Sequence, residues 1–379
     1  MTLRILSLNV WGLSEPFSRD LPARMVAIGE AFAALAPDVV ALQEVWDSTA
    51  RATLLAAGRR VGLAHAWHHE SALRGSGLVV LSRLPIRAAT LHRFELAGIA
   101  EAIDEADYLG GKGFVEVVLE TPQGPVVLVD THLQAAYAPR ARDPYVSLRV
   151  GQAVQLAAHV RGVEHPLVLA GDLNFSDADD EYRVLTGLAG VSDVGAVLGS
   201  RQATALASNP YRTGGDDKRI DYLFCRDGRT RRLVPRAVTR VLDRPLEIDG
   251  HSAAHSDHAG LLGEFEFERG GADAPQVSDD AAQTARARLL AGRSEVVERQ
   301  REQRVLAALG LVAAPLAWLA SRHPELSRRR LLKTLALGTA AMAGAFGAGR
   351  LTLTESLRPS ELAGFDAALA RLDALSERS

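Results

Sequence analysis

The 379-residue sequence has a single cysteine, Cys225, and only three lysines. A lone cysteine excludes an internal disulfide and a metal site built from several thiolates. The net charge of −3 argues against a strongly basic nucleic-acid-binding protein. The chain enters an apolar segment at once, with Arg4 inside it, and this is unlike a secretory signal peptide. We therefore expect a cytoplasmic catalytic part, and the preference for arginine, alanine and glycine suggests a GC-rich bacterial genome.

Residues 1–268 alternate short apolar runs with segments of helical periodicity, which predicts an α/β domain. Hydrophobic residues make up 47% of the chain, enough for a large core. Predicted strands include residues 3–10, 39–42, 78–81 and a pair around a Pro-Gly turn within 112–133. Predicted helices cover the stretch from Met25 to Leu35 and the stretch from Leu148 to Val160.

Several of these apolar strands begin or end beside a side chain that is costly to bury. The set consists of Asn9, Glu44, His132, Asp172, Asn174, Asp221, Asp257 and His258. One polar residue at a strand end usually caps a turn. Acids, amides and imidazoles at six such places instead predict a single cleft, where burial requires partners such as a metal ion or a substrate.

The residue types in this set favour one kind of chemistry. Carboxylate and amide oxygens are hard ligands, and without thiolates they suit Mg²⁺ or Mn²⁺ better than zinc. His132 and His258 can exchange protons near neutral pH, and a carboxylate can orient either ring. A metal, a histidine base and an orienting aspartate are the groups needed to direct water onto phosphorus.

The segments LNVWG, LQEVW, THL, GDLN, RIDY and SDH occur in this order. As an ordered set they resemble the endonuclease/exonuclease/phosphatase superfamily over residues 1–268. The resemblance implies a four-layer α/β/β/α sandwich with two packed, mostly antiparallel β-sheets and a divalent metal, Mg²⁺ or Mn²⁺, at one rim.

The same resemblance implies a role for each residue of the set. Glu44 would be the metal ligand, with Asn9 and Asp257 assisting at the metal or its water. His258 would be the general base, and Asp221 would pair with a catalytic histidine. His132, Asp172 and Asn174 would bind and polarise the scissile phosphate, and Asn9 would also face that phosphate.

Within the superfamily, four segments resemble neutral sphingomyelinases. They are the Glu-Val-Trp form of DVVALQEVW, the segment RGSGLVVLSRLPI, the segment DYLGGKGF, and THLQAAY with the helix that follows it. In DYLGGKGF, Asp107 and Lys112 match a mobile segment of neutral sphingomyelinases that contains an Asp and a Lys. This resemblance implies that both residues take part in catalysis. The alternative for Gly110 to Gly113 is an ordinary glycine turn.

The C-terminal part has a different composition. We interpret residues 269–280 as a linker and residues 281–379 as a helical, hydrophobic extension. Residues 305–320 and 334–349 carry no charge. A 16-residue helix spans roughly 24 Å against a bilayer core of about 30 Å, so each run is a marginal membrane span. Short tilted spans, helices lying in the membrane interface, and a soluble helical pair packed on the domain all remain open.

The sequence thus predicts a Mg²⁺-dependent phosphodiesterase acting on a phospholipid at a membrane, with sphingomyelin as the substrate that the resemblance implies. One alternative is a metal-dependent nuclease of the same fold, and another is a non-catalytic membrane adaptor. The arginine-rich segment 226–240 could contact an anionic partner or form a solvated edge strand. We expect no stable nucleic-acid partner, and no protein partner is evident.

Overall fold

The computed structural model describes residues 2–69, 76–98, 111–136, 142–272, 275–324, 329–356 and 358–377. Within them the main strands form two six-stranded sheets. The first has the order β11-β14-β1-β2-β4-β3 and the second the order β5-β6-β7-β8-β10-β9. The strands are β1 (Thr2–Asn9), β2 (Val39–Gln43), β3 (His65–His68), β4 (Val79–Ser82), β5 (Ile86–Arg93), β6 (Gly113–Thr121), β7 (Gly124–His132), β8 (Leu167–Asp172), β9 (Ser192–Asp193), β10 (Asp221–Arg226), β11 (Arg231–Val241) and β14 (Gly260–Arg269), with a separate hairpin of β12 (Leu246–Ile248) and β13 (His251–Ala253).

The helices of the described residues are α1 (Leu21–Leu35), α2 (Ser48–Arg60), α3 (Val146–Gly162), α4 (Asp180–Ala189), α5 (Val194–Val197), α6 (Asp279–Ser321), α7 (Arg330–Ser356) and α8 (Arg358–Glu377). The outer face of the first sheet is covered by α1 and α2, and that of the second sheet by α3 and α4. The helices predicted near residues 25–35 and 148–160 are confirmed as α1 and α3.

Three apolar clusters hold the layers together. The middle cluster lies between the sheets, where Ile5 and Val80 of one sheet face Val117 and Leu128 of the other. A second cluster packs α1 and α2 on the outside of the first sheet, and a third packs α3 and α4 on the second sheet. The sequences of β2, β4 and β8 are nearly continuous apolar runs because both faces of these strands are buried. The layers are helix, sheet, sheet, helix, as predicted.

The pairing pattern brings the polar strand ends to one rim. β1 and β2 are parallel, and so are β7 and β8. β14 runs antiparallel to β1, and β10 antiparallel to β8. Parallel strands end on the same side, whereas an antiparallel neighbour begins there. The ends of β1, β2, β7 and β8 therefore meet the starts of β10 and β14.

The C-terminal helices divide into a part packed on the sandwich and a part that leaves it. Ala285 and Leu289 of α6 and Phe365 and Leu372 of α8 are buried in the cluster that also contains α3 and α4. The distal half of α6 packs on α7, and both present large apolar side chains to solvent, including Leu309, Leu316, Trp318, Leu319, Leu331, Leu335, Met342 and Phe346. We call this pair, the described residues 305–324 and 329–350, the apolar hairpin.

Candidate active site

Strand register places the predicted side chains side by side at the rim. His132 pairs with Asp172 between β7 and β8, and Asp172 pairs with Asp221 between β8 and β10. Glu44 follows the end of β2 and has a positive φ of 60°. Gly171, at φ 142°, lets β8 approach β7 closely, because a Cβ there would overlap the carbonyl oxygen of Thr131. Backbone geometry at the strand ends thus concentrates the acids and imidazoles.

Asn9 links the two sheets at this rim. Its Nδ2 donates to Oε1 of Glu44 and to Oδ2 of Asp172, both at 3.0 Å. Its Oδ1 accepts a hydrogen bond from the backbone N–H of Trp11 at 3.0 Å. With the amide in this orientation, Asn9 presents N–H groups to the acids and positions them. In this orientation Asn9 contacts the two carboxylates as a donor only.

His258 and Asp221 form the pair expected of a general base and its orienting acid. The Nδ1 atom of His258 lies 2.8 Å from Oδ2 of Asp221, and Nε2 lies 3.8 Å from Oδ2 of Asp172. Burial favours the neutral ring, but the carboxylates of Asp221, Asp172 and Asp257 outweigh it and raise the pKa of His258 well above its usual value. The ring can therefore hold a proton on the side that faces the cleft.

His132 has the opposite electrostatic environment. Its Nε2 atom lies 2.8 Å from the ammonium nitrogen of Lys112, a residue that is only 1% exposed. Burial and the charges of Lys112 and His258 lower the pKa of His132 well below its usual value. His132 is therefore neutral, and Lys112 brings a buried positive charge to the rim. Asp107, the other member of the predicted Asp/Lys element, lies outside the described residues.

The carboxylates of the cleft are crowded. Burial and the neighbouring charge of Asp221 raise the pKa of Asp172 to about 7. Burial, and then the charge of Asp257, raise the pKa of Glu44 despite the opposing effect of Lys112. Among the described residues, Oδ1 of Asp221 is buried without a hydrogen-bond partner. The cluster contains more acids than Lys112 alone can balance, and a bound cation would supply further positive charge.

The donor set fits a divalent cation. Ligand atoms of Glu44, His132 and Asp172 lie within 4.8 Å of one another, and so do those of Asp172, Asp221 and His258. Carboxylate oxygens predominate in both groups, which favours Mg²⁺ or Mn²⁺. Asp257 belongs to neither group in the described part of the chain, but its charge acts on both Glu44 and His258.

A polar cavity of about 280 Å³ opens beside these groups, with Asn174, Asp257 and His258 in its lining. Asn174 has a positive φ of 54°, and its Nδ2 donates to the carbonyl oxygen of Leu133 at 3.1 Å. A non-glycine residue held in this region is common at functional sites. The structure thus brings the predicted residues together, apart from the undescribed Asp107.

Three comparisons place the chain among known proteins. A profile of the Endonuclease/Exonuclease/phosphatase family matches residues 6–279. The chain belongs to this family. The protein named "Putative neutral sphingomyelinase" of Drosophila melanogaster is 31% identical over 277 residues, covering 70% of this chain and 61% of the fly protein. "Inositol phosphosphingolipids phospholipase C" of Schizosaccharomyces pombe is 32% identical over 198 residues, covering 50% of this chain and 45% of the yeast protein. The chain thus matches less than two thirds of either relative.

A solved structure has the same fold. TDP2 of D. rerio, in complex with a single-strand DNA product, aligns with a TM-score of 0.56 and 20% identity, over 70% of this chain and 99% of that one. At this identity the likeness concerns the fold alone. The α/β/β/α sandwich predicted from the sequence motifs is thereby confirmed for this member of the family.

Several buried polar residues around the family's cleft lie outside the set that was given a role from the sequence. Gln43 donates from Nε2 to Oδ1 of Asp130 at 2.6 Å, and both residues are fully buried between the sheets. Arg24 is buried on α1 and donates to the carbonyl oxygens of Val10 and Trp11. The one available signal was the position of Arg24 on the apolar face of α1 with Leu21, Met25 and Ile28.

Proposed function

We propose that this protein is a divalent-metal-dependent phosphodiesterase that cleaves a phosphosphingolipid between phosphorus and the ceramide oxygen. Sphingomyelin is the substrate implied by the sequence motifs, with ceramide and phosphocholine as products. The main support for the proposal is the pair of His258 and Asp221, whose Nδ1 and Oδ2 atoms lie 2.8 Å apart. This pair lies directly beside the cluster of Glu44, His132 and Asp172. The names of the fly and yeast relatives support a sphingolipid substrate.

The residues of the cleft have different roles in hydrolysis. The cleft-facing nitrogen of His258 takes the proton of the attacking water, while Asp221 orients the ring and stabilises its charged form. Lys112, buried beside the neutral ring of His132, places positive charge near the phosphate oxygens. Asn9 keeps Glu44 and Asp172 in position, and Asn174 faces the phosphate from the cavity wall. The phosphorus–oxygen bond to ceramide then breaks as the water oxygen joins phosphorus, and the proton accepted by His258 is passed on to the leaving ceramide oxygen.

Glu44 would hold the Mg²⁺ or Mn²⁺ ion, with Asp257 near it and Asn9 positioning the carboxylates. When bound, the ion supplies positive charge that offsets the charge developing on the phosphate and lowers the pKa of neighbouring groups. A lower pKa would leave more His258 neutral and able to accept a proton.

The apolar hairpin supports attachment to a membrane. α6 and α7 are long and apolar enough to cross a bilayer, and only 17% and 6% of their most apolar windows are buried. Exposed leucines on both helices would be costly in water and favourable among lipid chains. Arg322, which follows the last residue of α6, and Arg329, which precedes the first residue of α7, can contact anionic headgroups. We propose that the hairpin holds the catalytic domain, in the cytoplasm, beside its lipid substrate.

The arginine-rich segment 226–240 offers little support for the nuclease alternative. It comprises the last residue of β10, the loop 227–230 and most of β11, an edge strand. Arg232 pairs with Asp227, Arg236 with Glu266 and Glu268, and Arg240 with Asp243. Phosphate binding requires positive charge that is not already neutralised. The adaptor alternative is opposed by the presence of Glu44, Asp221 and His258 in hydrogen-bonding positions.

The proposal is tested with purified full-length protein, a panel of choline sphingolipids, inositol sphingolipids and single-stranded DNA, and chromatographic detection of the products. We expect ceramide release in Mg²⁺, its abolition by EDTA, and its return when Mg²⁺ or Mn²⁺ is added. Full activity in EDTA would overturn the metal assignment. Hydrolysis of DNA alone would favour the nuclease, and no hydrolysis of any substrate would favour the adaptor.

A further inference from the structure

A second pocket, of about 320 Å³, lies at the rim of the sandwich opposite the catalytic cleft. Its lining includes Arg226, the last residue of β10, whereas β10 begins at Asp221 in the cleft. Five residue steps along a strand span roughly 17 Å, so the pocket is separate from the cleft. Ala272 and Pro275, which precede α6, also line the pocket. It therefore lies where the C-terminal helices join the sandwich.

Arg226 is buried at this pocket without a compensating acid. The residue is only 7% exposed, and its Nη2 atom donates to the carbonyl oxygen of Val163. Its Nη1 atom is buried and has no hydrogen-bond partner among the described residues. Arg232 and Arg236 of the same arginine-rich segment have carboxylate partners, whereas Arg226 has none in the part of the chain that the structure describes. A buried guanidinium in this state favours an acceptor that arrives with a ligand.

A second guanidinium lies beside that of Arg226. Arg161 donates to the carbonyl oxygens of Leu188 and Pro275. Its Nη1 atom would lie 3.5 Å from a Cβ at Gly190, which lines the pocket. Burial, and then the charge of Arg161, lower the pKa of Arg226. Two like charges that contact carbonyl groups leave positive charge that a bound anion would offset.

The acid of the described lining does not supply this negative charge. It is Asp227, whose Oδ2 atom lies 3.1 Å from Nε of Arg232. Its Oδ1 atom accepts from the backbone N–H of Leu233 at 2.9 Å. A water molecule would accept a hydrogen bond from Arg226 but would leave the charge uncompensated. An oxyanion provides both the acceptor and the opposite charge.

We propose that this pocket binds a phosphate-type oxyanion, held by Arg226 and Arg161, at a site separate from the catalytic cleft. A phosphate group presents several acceptor oxygens, which suit the planar donors of two guanidinium groups. The volume accommodates one such group but no nucleic-acid strand. The anion would connect the end of β10 with the segment before α6, because Arg161 also contacts Pro275. Its binding would therefore stabilise the folded chain.

The course of α6 favours free phosphate over a lipid headgroup as the anion. Val163, the partner of Arg226, directly follows α3, so α3 ends at the pocket. Gly292 of α6 packs at the other end of α3, where its Cβ position lies 2.5 Å from Cβ of Ser147. The apolar hairpin follows still further along α6. If the hairpin enters a membrane as proposed above, that membrane lies on the side away from the pocket.

The test is calorimetric titration of the full-length protein with inorganic phosphate in EDTA, which removes the divalent ion that would hold phosphate in the cleft. We expect wild type to bind phosphate, and Arg226→Gln to bind it at least about tenfold more weakly, the usual effect of losing a charged hydrogen bond. Arg236→Gln is the matched control, because Arg236 pairs with Glu266 and Glu268 and lies outside the described lining. Its affinity should equal that of wild type.

A half-buried position provides a second variant in case Arg226→Gln does not fold. Arg161→Gln should also weaken phosphate binding by at least about tenfold. Thermal unfolding is an independent readout, since phosphate should raise the Tm of wild type and of Arg236→Gln but not that of Arg161→Gln. The inference is overturned if wild type binds no phosphate, or if the Arg226 and Arg161 variants bind it as tightly as wild type. The latter result would place the phosphate in the cleft.

The source of the anion is tested with full-length protein bound to phosphatidylcholine vesicles, with and without phosphatidic acid. High salt screens the surface charge of the acidic vesicles. Equal phosphate affinity on both kinds of vesicle would support a soluble anion. Competition by phosphatidic acid that is lost in Arg226→Gln would overturn this choice and assign the pocket to a lipid headgroup.

Discussion

The two histidines of the cleft differ in charge because their nearest neighbours differ. Lys112 lies against His132 and disfavours a second positive charge, whereas carboxylates surround His258 and favour one. A histidine that accepts the proton of the attacking water becomes positively charged. His258 meets this requirement, and His132 is better suited to contact phosphate as a neutral ring.

Replacing His258 tests directly whether this residue, and not His132, is the general base. We expect His258→Ala to lower kcat by at least about a hundredfold, the usual contribution of general base catalysis. Asp221→Asn should cause a smaller loss, because the ring stays in place but its charged form loses a partner at 2.8 Å. Turnover in Mg²⁺ and thermal unfolding are measured on both variants. If His258→Ala unfolds the protein at assay temperature, the role of His258 is structural.

Asp130 provides a test of stability away from the reacting atoms. Burial between the sheets raises its pKa well above the usual value, although Gln43 and the backbone of Thr131 donate to it. A carboxyl with a raised folded-state pKa takes up a proton on folding at any pH between its unfolded and folded pKa values. Stability therefore falls as pH rises through that window, by up to about 1.4 kcal/mol per pH unit.

Asp130→Asn removes the titrating group and keeps an oxygen that can accept from Gln43. We expect the variant to match wild type in stability near pH 4 and to exceed it increasingly toward pH 8. Urea unfolding at several pH values measures the difference. A difference that is independent of pH would show that Asp130 is already ionised in the folded chain.

At the scale of elements, apolar runs predicted the strands well because buried strands need apolar residues on both faces. β1, β2 and β4 begin and end within one residue of their predictions. The candidate site could also be predicted, since its residues lie at strand ends and strand order fixes their meeting point. The polar cavity beside His258 could not be predicted, because irregular loop residues have no periodicity that shows which of them face one another.

The packing of α6 and α8 on the sandwich could not be predicted from the sequence either. An amphipathic pattern shows that one face of a helix will be buried, but it does not identify the surface on which that face packs. Here Leu289 of α6 and Leu372 of α8 pack in the cluster of α3 and α4. Part of the stretch predicted as a separate extension thus completes the outer helical layer.

Within the apolar hairpin, two glycines set the distance between α6 and α7. A Cβ at Gly310 would lie 2.8 Å from the carbonyl oxygen of Ala343, and a Cβ at Gly347 would lie 2.8 Å from that of Ala307. Close backbone approach through small residues is a common way for helices to associate in lipid. Gly338, by contrast, has nothing within 4 Å of its Cβ position.

We expect Gly310→Leu to separate the hairpin helices and the matched Gly338→Leu to leave them together. Gln303→Cys and Arg350→Cys place thiols at positions whose side chains hydrogen-bond across the helices. The native Cys225 is buried and will not compete. Disulfide yield after mild oxidation in vesicles is the readout. Equal yields in both leucine variants would show that Gly310 does not control helix packing.

On the scale of the whole molecule, the hairpin can be removed without cutting into the sandwich. Gln303 and Arg304 of α6 contact Arg350 and Glu355 of α7, so the two helices are adjacent where the hairpin leaves the domain. Replacing residues 306–348 with a short Gly-Ser linker keeps the buried parts of α6 and α8. Ending the chain after Arg269 instead removes both and exposes the apolar faces of α3 and α4.

The two deletions should therefore behave differently. We expect the hairpin deletion to be soluble, to match full-length turnover on micellar lipid, and to lose most turnover on vesicles, because only the membrane-facing leucines are gone. The Arg269 truncation should be destabilised or aggregate, since buried leucines such as Leu289 each contribute about 2–5 kcal/mol. Vesicle co-sedimentation, turnover and thermal unfolding compare the three forms. Undiminished vesicle turnover without the hairpin would contradict membrane attachment, and a stable Arg269 truncation would make α6 and α8 dispensable for the fold.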